Sequence, residues 1–281
     1  MTSESVKILG NGEVKLVDKM GADEDILAAA RISYNTNKER TYTTDENRNL
    51  IRYLIRHRHT SVFEMCEVKF YLKVPIFVAR QLVRHRTANL NEVSGRYSEL
   101  PGEFYVPDVE QCGPQSSVNN QGRSDVQNTI SARHAQQNIR LSQERAHDVY
   151  DSLLNVSEVS REISRIVLPV SQFTEIVWKC DLHNFFHFCR LRMDGHAQYE
   201  IRVMAQAMFD LVRPHFPLAT EAFSDYILNS KTLSAMEQTL LKTLLSRIEY
   251  LPTLDDATSA GMSKREHTEF CAWITSLIQK A

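Results

Sequence analysis

The stretch Arg84-His85-Arg86-Thr87-Ala88-Asn89-Leu90-Asn91-Glu92-Val93-Ser94-Gly95-Arg96-Tyr97-Ser98 crowds three arginines, a histidine and two serines into one short segment. Guanidinium groups stay charged and grip anionic oxygens bidentately, which suits phosphate. Gly95 lets a ligand approach the backbone closely. Charge composition alone would favour a solvated face. The order of the residues favours a site: R-H-R, seven residues, then Ser94, with Glu92 and Arg96 around it.

The pattern on either side sets the fold class. Upstream, Ile76 to Arg86 has helical period, with Phe77, Val78 and Leu82 on one side and Arg80 and Arg84 on the other. Glu67 to Val74 alternates as a strand that Pro75 interrupts. Val6 to Val17 reads as a hairpin around Gly10-Asn11-Gly12. Two helices lie between, one opening at Asp23-Glu24-Asp25 and one at Asp45, the second ending in the basic run Arg56-His57-Arg58-His59. Downstream, residues 109–125 are rich in Gln, Ser, Asn and Gly and read as a mobile loop. Helical pattern resumes from Ile130 to Leu153, and a short helix stops at Leu168-Pro169. Glu175 to Lys179 reads as a strand, and Asp181 as the N-cap of a helix through Phe185, Phe188 and Leu191. Asp194-Gly195 breaks it before an amphipathic helix from Tyr199 to Val212, closed by Pro214 and Pro217. Beyond Asn229 one or two helices are expected, split by a Pro252-to-Met262 linker. Phe185, Phe186, Phe188, Met204 and Met208 are expected in the core.

At 281 residues the length fits about two domains of the usual ~150 residues, or one enzyme domain with an insertion. Its net charge of −2 provides no global field for nucleic acid or membrane, so any anion site must be local. No apolar run approaches the ~18 residues of a membrane span. Met1-Thr2-Ser3-Glu4-Ser5 has no signal-peptide character, so a reducing, cytoplasmic setting is expected. The five cysteines, Cys66, Cys112, Cys180, Cys189 and Cys271, form no CxxC pair.

The R-H-R-x7-S segment resembles the signature of the flavin-dependent thymidylate synthases. His59-Thr60-Ser61-Val62-Phe63-Glu64 is similar to that family's H-x-[ST]-x-F-E segment, and Pro75-Ile76-Phe77-Val78-Ala79-Arg80-Gln81 to its lead-in helix. Ser164-Arg165-Ile166-Val167-Leu168-Pro169 and the run Leu191-Arg192-Met193-Asp194-Gly195-His196-Ala197-Gln198-Tyr199-Glu200 match two later blocks. The match runs from about Ser33 to Tyr226.

The resemblance implies an α/β (α+β) fold with a mixed, mainly antiparallel sheet flanked by helices. A synthase domain would span residues 1–228 and a helical extension 229–281. It also implies methylation of dUMP to dTMP, with methylenetetrahydrofolate as carbon donor and NADPH reducing bound FAD, in a homotetramer whose sites form at subunit interfaces. Carried over by position, Gln81, Arg84, Glu92, Val93, Ser94, Gly95, Arg96 and Arg165 would bind dUMP, Arg165 from a neighbouring subunit. Arg192 would contact the uracil and favour its ionisation at N3. A fixed cation there stabilises the developing anion. FAD contacts would fall on Ser61, Arg84, His85, Arg86, Glu92, Asp181, His183 and His187, with Ser33, His59 and Glu64 as further candidates.

The chain departs from the family where Asp181, His183 and His187 replace the usual Asn and Arg, and where Asn89 replaces a frequent Ser. Two rivals come from other classes. A nucleic-acid module could use the clusters at Arg56 to Arg58 and Arg84 to Arg96, but no wider basic stripe accompanies them. A zinc site could use His183 and His187 at i, i+4, but Asn184 stands where H-E-x-x-H has its glutamate and no third ligand is evident. No metal is expected.

Overall fold

The computed structural model describes residues 5–33, 40–117, 122–245 and 251–279. Residues 1–4 of the N-terminus and 118–121 of the polar segment lie outside these. At the centre is a five-stranded sheet in the order β1-β2-β3-β5-β4, antiparallel in every pairing. The strands are β1 (Ser5–Ile8), β2 (Gly12–Met20), β3 (Glu67–Pro75), β4 (Asn89–Glu92) and β5 (Phe173–Asp181). The helices are α1 (Asp23–Ile32), α2 (Thr44–Arg56), α3 (Ile76–Leu82), α4 (Thr129–Asn155), α5 (Arg161–Ser164), α6 (Leu182–Arg192), α7 (Tyr199–Val212), α8 (Pro217–Phe223), α9 (Ala235–Leu245), α10 (Leu254–Ser259) and α11 (Lys264–Gln279).

Strand register decides which face becomes core. Phe70 stands opposite Trp178 and Leu72 opposite Ile176, and all four are buried. Their neighbours Lys69, Lys73, Glu175 and Lys179 point to the other face, the alternation expected of an antiparallel sheet covered on one side. Helices α3, α6 and α7 pack on the apolar face. Phe185, Phe188, Met204 and Met208 are fully enclosed there, as their spacing predicts. The hairpin turn uses Gly10 at φ 75°, a left-handed conformation that suits glycine. Strand β2 continues past the expected Val17 to Met20, through a register shift between Leu16 and Asp18 that marks a bulge.

Several elements differ from their sequence reading. The helix expected to reach Arg86 stops at Leu82, because the chain must turn there to lay Asn89–Glu92 along β5. Strand β4 has only one large apolar residue, Leu90, and its side chains are exposed, so it carries no periodic signal. Pro217 opens α8 at its first position and does not merely close α7; one π-helical turn, Ser224–Leu228, follows. The expected linker from Pro252 to Met262 contains α10, capped by Thr253 through Asp256, so three helices follow Asn229 among the described residues. Helix α11 docks on α2 through Arg52 Nε, which donates to Glu266 Oε1 at 2.9 Å with both side chains almost fully buried. Among the described residues no helix is long and apolar enough to cross a membrane.

Candidate active site

Helix α3 delivers the R-H-R triplet to the mouth of the core. The His85 backbone N–H donates to Leu82 O at 3.0 Å, closing the turn after the helix. This brings the imidazole edge-on to Phe188 at 5.0 Å between centroids and near His187 at 6.1 Å, both on α6. The last residue of α6 completes the contact: Arg192 Nε donates to His85 Nε2 at 3.0 Å, and another guanidinium nitrogen donates to Gln81 O at 3.4 Å. Burial, then Arg192 and His187, push the His85 pKa down to about 4. At neutral pH the ring is therefore uncharged, with Nε2 as acceptor. Burial, then Arg84, lower the Arg192 pKa, yet a guanidinium remains protonated at any working pH. The result is a fixed cation held by two neutral acceptors.

A second group lies at the other end of β4. Glu92 Oε1 accepts from Thr174 Oγ1 at 2.6 Å, and the Val93 N–H donates to Glu175 O at 2.9 Å. Ser94 O accepts from the Tyr97 and Ser98 N–H groups, and its Oγ accepts from the Arg96 N–H at 3.3 Å, so Ser94 caps a turn. Gly95 is buried, and a Cβ there would stand 3.0 Å from Leu100 Cδ1 and 3.2 Å from Arg165 Cδ. Such a Cβ would press on the Leu100 and Arg165 side chains, which would have to shift by a few tenths of an ångström. Arg96 Nε pairs with Glu162 Oε2 at 2.7 Å in an exposed position. Arg84 and Arg86 are exposed and have no ion pair among the described residues.

Of the remaining flavin candidates, His59, His183 and His187 lie at two neighbouring cavities, and Asp181 does not line either. One, of about 100 Å³, is lined by His59, His183, His187, Phe63 and Phe186, with Arg58 and Arg190. The other, of about 500 Å³, also takes Arg58 and Arg190 and adds Arg192 and His196. Aromatic walls beside several guanidinium groups suit a planar ring system carrying negative charge, so the donor set fits a flavin nucleotide. Asp181 caps α6, accepting from the Asn184 N–H at 2.8 Å and from Asn184 Nδ2 at 2.7 Å. Among the residues lining these two cavities, Ser33, Ser61 and Glu64 are not found; Ser33 is the exposed C-cap of α1.

Sequence reasoning missed Arg58 and Arg190. Arg190 extends the His183, His187 stripe at i, i+4, i+7, a helical signal that could have found it. Arg58 entered the sequence reading only as part of the basic run of the nucleic-acid rival, but it holds φ 59° between α2 and His59 and lines both cavities. Burial raises the thiol pKa of Cys66, Cys180 and Cys189, so none of the three is a thiolate at neutral pH.

Comparison with known proteins agrees with this geometry. The family model described as thymidylate synthase complementing protein matches residues 15–218. The flavin-dependent thymidylate synthase of Ehrlichia ruminantium (strain Gardel) is 45% identical over 265 residues, 94% of this chain and 86% of that protein. The protein of the same name from Dictyostelium discoideum is 46% identical over 246 residues, 85% of this chain and 80% of that one. Among solved structures, the UMP/dUMP methylase PolB from Streptomyces cacaoi bound with 5-Br dUMP superposes with a TM-score of 0.70 at 33% identity, covering 77% of this chain and 96% of that one.

Proposed function

The chain belongs to the flavin-dependent thymidylate synthase family, and from that membership we propose how its residues divide the reductive methylation of dUMP to dTMP. The observation that carries the proposal is the Arg192 cation, held by His85 and the Gln81 carbonyl at the edge of a cleft lined by further arginines. A fixed positive charge beside the uracil stabilises the anion that develops when N3 ionises and activates the ring carbon. Gln81, Arg84, Glu92, Val93, Ser94, Gly95, Arg96 and Arg165 form the rest of the dUMP site. The arginines take the phosphate, Arg165 from a neighbouring subunit.

The flavin is FAD, held by Ser61, Arg84, His85, Arg86, Glu92, Asp181, His183 and His187, with Ser33, His59 and Glu64 contributing. When bound it supplies the hydride that turns a transferred one-carbon unit into a methyl group. NADPH is the reductant and methylenetetrahydrofolate the carbon donor. His59, His183, His187, Phe63 and Phe186 give the ring system flat neighbours that exclude water, and Arg58 and Arg190 add positive charge at the opening.

The homotetramer belongs to the same proposal. Tyr97 and Ile166 are about three-quarters exposed, at 78% and 74%, and Leu90 and Val93 are also exposed beside the phosphate residues. Such an apolar surface beside a site calls for a covering subunit. The proposal also divides the chain into a 1–228 synthase domain and a 229–281 extension, a reading supported by the end of the family match at residue 218. The cytoplasmic setting is consistent with five free thiols.

The test is an absorbance spectrum of purified protein, before and after NADPH, then with dUMP and methylenetetrahydrofolate added. The expected result is a flavin band that bleaches, with dTMP formed. A colourless protein would end the proposal.

A further inference from the structure

The polar segment has no part in the function proposed above, yet it delivers a cation to the back of the dUMP site. Arg123 donates to Glu200 Oε1 at 3.1 Å, donates to Gln111 Oε1, and lies over the Tyr199 ring at 5.2 Å. Glu200, at the start of α7, is only 2% exposed. The Tyr105 hydroxyl donates to the same oxygen at 3.1 Å, and Gln198 Nε2 donates to the other oxygen at 2.9 Å. Burial and Glu200 raise the Tyr105 pKa, so its hydroxyl stays a donor.

This arrangement has a direction. A carboxylate offers only acceptors, whereas the two ends of a glutamine amide are nearly the same shape and differ only in donating or accepting. Glu200 therefore requires the NH2 end of Gln198, which turns the Gln198 oxygen outward. That oxygen accepts from Gln81 Nε2. Gln81 in turn has its NH2 end committed, and its own side-chain oxygen is the end left to face a ligand. The backbone carbonyl of Gln81 meanwhile accepts from Arg192.

We propose that Glu200, its charge balanced and its place fixed by Arg123, is a positioning residue that acts through Gln198 to orient the Gln81 amide so that a carbonyl oxygen, not an NH2 group, faces dUMP. This rests on Gln81 being a dUMP contact. A ligand N–H or O–H donor is the partner that an oxygen in that place selects. The segment around Arg123 thus has a role in substrate recognition although it need not touch substrate.

The test is steady-state kinetics on flavin-loaded protein. Glu200→Gln supplies an amide that can donate as well as accept, so the relay loses its direction. KM for dUMP should rise about tenfold while kcat stays within about twofold, a ground-state binding signature. Flavin content and NADPH-driven bleaching without dUMP should not change, which separates positioning from general damage to the fold. Arg123→Gln should act in the same direction and Arg123→Lys should restore part of the loss. Gln198→Ala repeats the test while keeping the Glu200 carboxylate with its Arg123 and Tyr105 donors, since Gln198 itself is exposed, and it decides the matter if Glu200→Gln does not fold. In a Gln81→Ala background the Glu200 and Gln198 substitutions should add nothing further. If Gln81→Ala raises KM but Glu200→Gln and Gln198→Ala do not, or if their effects persist undiminished in that background, the relay is overturned and the dUMP role of Gln81 stands. If Gln81→Ala itself leaves KM for dUMP unchanged, that role fails and the relay fails with it.

Discussion

Arg192 Nε and His85 Nε2 stand 3.0 Å apart, with the arginine donating, so the histidine inside a run of arginines is an acceptor and not a fourth cation. A proton on Nε2 would destroy the contact and place two positive charges together. Burial, Arg192 and His187 together hold the His85 pKa down to about 4.

The pH dependence of stability follows. An unfolded histidine titrates near ~6.5, so between about 4 and ~6.5 the unfolded chain binds a proton that the folded chain refuses. The sign is therefore fixed: this contribution is complete above ~6.5 and is lost as pH falls toward 4. Because His85 is only partly enclosed, its size should be about 1–2 kcal/mol. Urea unfolding at pH 7.5 and pH 5 should show the loss in the parent and a smaller one in His85→Gln, which keeps an acceptor for Arg192. Parallel losses in the two proteins would remove His85 as the cause.

Arg192→Lys tests the planar fork. One ammonium cannot reach His85 Nε2 and the Gln81 carbonyl in the fixed directions that a guanidinium does. Turnover should fall by ~10² or more with flavin content unchanged. Near-normal dTMP formation would show that charge alone suffices.

What was legible in the sequence had a period or a cap. The alternation of β3 and β5, the stripes of α6 and α7 and the Asp181 cap all read correctly, because burial on one face imposes a period on sequence. Strand β4 had no such signature, since its side chains are exposed and its order comes from backbone pairing with β5. The end of α3 was missed for the same reason: pairing at Asn89, and not any helix breaker, stops it. Within the candidate site, Arg192, His85 and Gln81 were each named, but their mutual contact joins residues more than a hundred positions apart. Arg58 was passed over because an arginine in a basic run carries no mark of a left-handed backbone.

The polar segment should tolerate shortening only between its anchored ends. Gln115 and Arg123 form a β-bridge, and the Ser116 N–H donates to Gly122 O at 2.8 Å. Removing part of 118–121 leaves these pairings in place and costs little loop entropy, so the melting temperature and flavin content should match the parent. A deletion that also takes Gln115 and Ser116 should raise KM for dUMP as Arg123 loses its support. Equal behaviour of the two deletions would deny the segment its anchoring role.

Glu266 is the buried partner that fastens α11 to α2. It accepts from Arg52 Nε at 2.9 Å and pairs with Arg56 at 3.1 Å, while Arg52 retains Glu221 at 3.3 Å and Asp225. Glu266→Ala takes the partner from the buried Arg52 Nε while both arginines keep other carboxylates, so it should cost about 1–3 kcal/mol. Denaturant unfolding measures it. A loss below ~0.5 kcal/mol, the range of ordinary surface substitutions, would show that α11 is not held by this network.

The cysteines decide between two ways of activating the uracil ring. Synthases that use no flavin attack the ring with a thiolate, which requires an exposed, electropositive setting that lowers the thiol pKa. Here every resolved shift runs the other way. Burial raises the Cys66 thiol to about 11, raises Cys180 and Cys189 further, and raises Cys112 too. Cys271 lies on α11, outside the family match, with its sulfur 3.2 Å from His267 Nε2. Under the proposed division of roles, the Arg192 cation and a reduced flavin would stand in for covalent activation. Each single Cys→Ala variant should retain most NADPH-dependent dTMP formation per flavin-loaded molecule. Cys66, Cys180 and Cys189 should cost ~1 kcal/mol of stability through lost packing. A nucleophile would lose on the order of 10³-fold or more in turnover. One variant that folds, binds flavin and forms no dTMP would restore the thiolate mechanism for this protein.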